Sequence, residues 1–150
     1  MQLFHISDVL SVTTERLVSS RHMDGIYEIL NFLTGDNLFT HQLPRAMDEC
    51  RPWLRSTFPN LMKDSPGMPE RLADLDRRIN ATQQDREHIA MAIRDWIEDL
   101  RIAMKLPERL PVYELGADMH TRVDPIQEAQ AMVGNDRVLV VNHTSPELDD

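Results

Sequence analysis

The sequence predicts a mostly α-helical fold with a small β element. Three observations carry this. Apolar residues recur at three- and four-residue steps through most of the chain, the spacing of amphipathic helices. Gly35, Gly134 and Pro107 stand where helices should stop. Short runs suited to strands occur only at Leu110–Leu115 and Val138–Val141, with Met1–Ile6 as a further extended lead. The expectation is a body of five or six helices and a short two-stranded sheet near the C-terminus. With 150 residues and 41% hydrophobic content, a single domain over residues 1–150 is expected.

Taken in order, Ser7 and Asp8 read as an N-cap for a helix lined by Val9, Leu10, Val12, Leu17 and Val18. The β-branched run Val12-Thr13-Thr14 works against that helix, and Ser19–His22 reads as a loop. Asp24 is placed to cap the next helix. Ile26, Tyr27, Ile29, Leu30 and Leu33 form its face and Gly35 closes it. Thr40 is placed to cap a third helix with Pro44 in its first turn, where a missing N–H costs least. Leu43, Met47, Cys50 and Leu54 make its stripe, and Pro52 is expected to end or kink it near Cys50.

Residues 59–69 hold three prolines and read as a loop, with Met62 and Met68 as its exposed methionines. Leu72, Leu75 and Ile79 predict a helix over Glu70–Asn80. Ile89, Ile93, Trp96, Ile97, Leu100 and Met104 predict the longest helix, from Thr82 to Met104. Its other face, Asp85, Arg86, Glu87, Arg94, Asp95, Glu98 and Arg101, suits i,i+4 surface pairs. Pro111 marks Leu110–Leu115 as an edge strand. Asp124-Pro125 is an N-cap followed by a proline at the first helical position, with Ile126, Ala129 and Val133 as the apolar face. Residues 143–150 form a polar, acidic tail.

The net charge is −9, with 25 acidic and 16 basic side chains. That balance argues against direct binding to nucleic acid, which needs a cationic excess. It suits a basic protein partner, such as a nucleic-acid-binding complex. No apolar run is long enough to span a bilayer. One cysteine, Cys50, excludes an internal disulfide and suits a reducing, cytoplasmic setting. Fourteen of the 16 basic residues are arginine, whose codons are GC-rich.

The densest polar group is Asp36, Asn37, His41, Arg45, Asp48 and Glu49. His41, Arg45 and Glu49 fall at i, i+4 and i+8, on one side of a straight helix. Asp36 and Asn37 precede its N-terminal end, where free N–H groups favour an anion. Two readings stay open: a polar pocket for a phosphate or a partner's carboxylate, and a solvated edge in which Arg45 pairs with Glu49. Cys50, on the apolar stripe, reads as an inert thiol rather than a nucleophile. Asp118, His120, Asp124 and His143 lack a zinc spacing, and the isolated glycines make no phosphate loop. No metal, cofactor or enzymatic activity is therefore expected.

The strings Ile6-Ser7-Asp8-Val9-Leu10-Ser11-Val12-Thr13-Thr14 and Met23 to Cys50 resemble a family of small phage- and prophage-encoded proteins, carried as a domain of unknown function. A weaker echo runs from Val123 to Glu128 and at Met132-Val133-Gly134. The resemblance implies a viral accessory protein acting inside a bacterium. With the acidic charge, it leads to the expectation of a phage interaction protein that disables a host defence component, such as a CRISPR effector complex. The alternatives are a phage accessory or structural protein with a partner unrelated to defence, and a small enzyme or nucleotide-binding protein using His41, Arg45 and Glu49.

Overall fold

A computed structural model describes residues 1–116 and 118–133. The elements run β1 (Gln2–His5), α1 (Ile6–Thr13), α2 (Met23–Thr34), a 3-10 turn (Thr40–Gln42), α3 (Leu43–Thr57), α4 (Met68–Ala81), α5 (Arg86–Met104), β2 (Arg109–Val112) and α6 (Pro125–Val133). Six helices and one two-stranded sheet among the described residues make the fold α+β, mostly helical, as the sequence predicts.

The sheet differs in its partner. β2 pairs antiparallel with β1, with Leu3 opposite Pro111 and Phe4 opposite Leu110. It thus joins the N-terminal lead to a late strand instead of lying wholly near the C-terminus. The expected strand at Val138–Val141 and the tail at 143–150 lie outside the described residues. Ile6 donates its N–H to the Glu108 carbonyl at 2.9 Å. The alternation of an antiparallel ladder then turns the nitrogen of Pro111 away from β1, where its missing proton is not needed. Phe4, Leu110 and Val112 face the core.

α1 is the centre of the molecule. Every one of its eight residues is buried, and it meets α2, α3 and both strands. Ser7 and Asp8 are not its cap: they lie inside the helix and are fully buried. His5 caps it, its Nδ1 accepting the Ser7 N–H at 3.1 Å. The buried polar side chains hold the following loop. Ser11 Oγ accepts the Val18 N–H at 3.0 Å, and Ser7 Oγ accepts the Ser20 N–H at 3.2 Å. The Asp8 carboxylate accepts from Ser19 Oγ at 2.5 Å and from Arg21 at 2.7 Å. These bonds satisfy groups whose burial would otherwise cost 1–3 kcal/mol each, roughly. Leu17, expected on the apolar side, is half exposed because the helix stops at Thr13.

α2 begins at Met23 after His22, so Asp24 lies in its first turn and is not its cap. Gly35 ends it in the left-handed conformation (φ 68°) and donates to the Asn31 carbonyl. Thr40 opens the 3-10 turn that leads into α3 and is not an α-helical cap. α3 continues through Pro52 to Thr57. Pro52 sits on the exposed side, so the Asp48 carbonyl it leaves unpaired faces outward, while Cys50 and Leu54 hold the helix to the core on the opposite side.

Met62 and Met68 are fully buried, contrary to expectation. Ser65 folds the 59–69 segment inward: its Oγ donates to the Pro59 carbonyl at 2.7 Å and accepts the Met62 N–H at 3.0 Å. α4 and α5 then pack against each other. Leu72, Leu75, Trp96, Ile97 and Leu100 are buried between them and the body, each contributing about 1.5–3 kcal/mol. Trp96 Nε1 also donates to the Arg71 carbonyl at 2.8 Å. α5 starts at Arg86, not Thr82, because Asp85 supplies the cap by accepting the His88 N–H. No helix among the described residues is long and apolar enough to cross a membrane.

Candidate functional site

The polar residues singled out in the sequence lie along the turn after α2 and one edge of α3. What meets them is the chain from Met119 to Glu128. Arg45 donates from Nε to Glu128 Oε2 at 2.9 Å and from Nη2 to Oε1 at 2.8 Å. Its Nη1 donates to Glu49 Oε2 at 3.1 Å and to the Thr121 carbonyl at 2.9 Å. A guanidinium matches a carboxylate in this two-pronged way better than any other side chain. Gln42, buried within the 3-10 turn, donates to Glu128 Oε1 at 3.2 Å and to the Val123 carbonyl at 3.1 Å. Asp124 caps α6 as expected, accepting the Ile126 N–H at 2.8 Å.

His120 fills the space between Asp36 and Glu49. Its Nε2 lies 2.9 Å from Asp36 Oδ2 and its Nδ1 lies 2.6 Å from Glu49 Oε1. The ring is 5% exposed. Carboxylate oxygens only accept, so hydrogen bonds at both nitrogens describe an imidazolium. Glu49 Oε2 also accepts the Thr121 N–H at 3.1 Å. Arg122 reaches the Gly35 carbonyl and comes within 3.7 Å of Asp36.

The electrostatics follow from these contacts. The bond to His120 is the main cause that holds the Asp36 carboxyl below its ordinary range. The Arg45 guanidinium does the same to Glu128. Burial, with a smaller contribution from Glu49, pushes the Cys50 thiol up to about 12. A thiol held so strongly protonated is a poor nucleophile.

Of the six predicted residues, Asp36, Arg45 and Glu49 thus converge on one seam, and His41 joins it by placing Nε2 2.8 Å from the Pro125 carbonyl. Asn37 is exposed, and its backbone N–H donates to Asp36 Oδ1 at 2.7 Å. Asp48 points elsewhere, pairing with Arg51 at 2.8 Å beside an open depression lined by Arg51, Pro52 and Arg55. The carboxylate that meets Arg45 here is the chain's own Glu128. His120, Gln42, Thr121 and Glu128 were the residues not assigned to this site from sequence. The signal was the Val123–Glu128 string, whose acid and cap lie far from Arg45 in sequence and next to it in space. Among the described residues, no group of three or more His, Cys, Asp or Glu side chains is arranged to hold a metal ion.

Residues 4–64 match the family model described as Domain of unknown function (DUF7736). The matched domain spans β1 to the 59–69 segment, and so includes the α1 polar network and the Asp36–Glu49 side of the seam. His120, Thr121 and Glu128 lie beyond it. No curated protein matches this chain. No solved structure matches it either.

Proposed function

We propose that the protein works by binding a basic protein partner, with the outer side of α5 as the contact surface. The observation that carries this reading is one stripe on that helix: Glu87, Met91, Asp95, Glu98 and Ile102. Their steps of three and four residues keep them on one side, opposite buried Trp96, Ile97 and Leu100. Met91 and Ile102 are 45% and 63% exposed. They stand close to three turns apart, about 16 Å. Two apolar knobs among carboxylates suit a surface that is itself basic with apolar hollows. A net charge of −9 would speed such an encounter.

The finer reading is a phage-encoded protein that inhibits a host defence component, with a CRISPR effector complex as the example whose nucleic-acid channel has the required charge. Its support is the resemblance of the Ile6–Thr14 and Met23–Cys50 strings, together with the acidic surplus. The test is affinity capture of the tagged full chain from infected cells, identified by mass spectrometry. It is paired with the variant Glu87→Lys, Asp95→Lys, Glu98→Lys and with Met91→Ser, Ile102→Ser. Recovery of a nucleic-acid-handling immune complex, lost in both variants while folding is retained, supports the proposal. Recovery of particle proteins alone supports the accessory reading, and capture unaffected by both variants removes α5 as the contact.

A further inference from the structure

Charged hydrogen bonds tie the chain at His120 and Glu128 to the body. α6 has nine residues, fewer than an isolated helix needs for stability. Of its apolar side chains Ala129 is buried, while Ile126 and Met132 are 38% and 58% exposed. Among the described side chains of α6, Ala129 is the one buried apolar group. Its order rests on the Arg45–Glu128 pair, on Gln42, and on the ring of His120 between two carboxylates.

We propose that residues 118–133 form a strap latched by the positive charge of His120, which opens when that ring loses its proton. The groups facing the ring are Asp36 from the turn after α2 and Glu49 from α3. Arg45 lies on the far oxygen of Glu49, and Arg122 of the strap itself faces Asp36. An imidazolium donates to both carboxylates. A neutral imidazole has one N–H, so one nitrogen lone pair must then face a carboxylate oxygen with no proton between them. Loss of that proton removes the one cation that bridges Asp36 and Glu49, and with it the latch. Opening frees Arg45 and Gln42 from Glu128, leaves Asp36 without the His120 cation and leaves Glu49 with Arg45 alone. The device is independent of the α5 stripe.

The test is amide hydrogen exchange of the full chain from about pH 6 to about pH 9, with each rate divided by its intrinsic rate at that pH. Protection of the Thr121 N–H, bonded to Glu49, and of the α6 amides is expected to fall by about tenfold or more, with α1 and α3 unchanged. His120→Gln carries no charge, and its strap protection is expected to be low and flat with pH. Asp36→Asn supplies an amide that can donate to a neutral ring, so its strap is expected to stay protected throughout. Equal protection of wild type at both ends of the range would overturn the proposal. So would an unchanged pH response in either variant.

Discussion

The guanidinium of Arg45 grips the carboxylate of Glu128 through two near-parallel hydrogen bonds of 2.8 and 2.9 Å, joining α3 to a helix more than eighty residues later. Glu128 is 12% exposed and Arg45 29%. The pair is therefore shielded enough to matter, unlike most ion pairs at the surface of this molecule. Arg45→Ala leaves Glu128 without its cation and Glu49 with His120 alone. The expected cost is about 1–3 kcal/mol, read as lost protection of the α6 amides ahead of global unfolding. A double-mutant cycle with Glu128→Gln should show coupling beyond about 0.5 kcal/mol. Additive effects would show that the pair does not hold α6.

Gly25 is required by what surrounds it rather than by its backbone angles. A Cβ there would fall against Ser19 Oγ and the Asp8 carboxylate, both closer than any real Cβ contact. Those two atoms belong to the buried network that anchors the 15–22 loop on α1, so neither can retreat freely. Gly25→Ala is expected to lower stability by about 1–3 kcal/mol, measured by urea denaturation. An alanine variant as stable as wild type would mean the network yields.

The seam should also weaken in acid. Asp36 and Glu128 have folded-state values below their ordinary 3.8 and 4.5. Groups of this sign add stability in full above those ordinary values and lose it as pH falls through the depressed ones. Exchange protection of the strap should therefore decline below about pH 4.5. Glu128→Gln, having no carboxyl to titrate there, should show a smaller decline. Identical acid profiles for the variant and wild type would remove Glu128 from this linkage.

Pro52 is an internal proline on the exposed side of α3. Its ring removes one helical hydrogen bond without filling any space in the core. Pro52→Ala restores a donor for the Asp48 carbonyl and a better helix former. The expected gain is about 1–3 kcal/mol, seen as a raised urea midpoint at unchanged slope. A loss would show that the ring packs against Trp53 or the neighbouring arginines in a way that matters.

Much of the fold was legible because helix signals are local. Gly35, the Asp124-Pro125 cap and the α5 periodicity mark boundaries or faces by the chemistry of neighbouring residues. The errors have physical reasons of the same scale. Ser7 and Asp8 looked like caps because small polar residues usually are; here they are buried by partners eleven to thirteen residues away. Met62 and Met68 looked exposed because prolines surround them, yet Ser65 turns that segment inward. Pro52 looked like a stop because its cost is local, whereas Cys50 and Leu54 pin the helix from the core side.

By itself the sequence determined the helical character, the apolar faces, the acidic balance and the group of polar residues from Asp36 to Glu49. Each depends on neighbours within a turn or two of the chain. Only the tertiary structure decided what those residues do. It brought His120 between Asp36 and Glu49, set Glu128 on Arg45, and paired β2 with the N-terminal strand. Such choices depend on contacts across some seventy to more than a hundred residues, which no local pattern encodes. Charge needs a counter-charge and a strand needs an edge, but the chain's path selects which ones they meet.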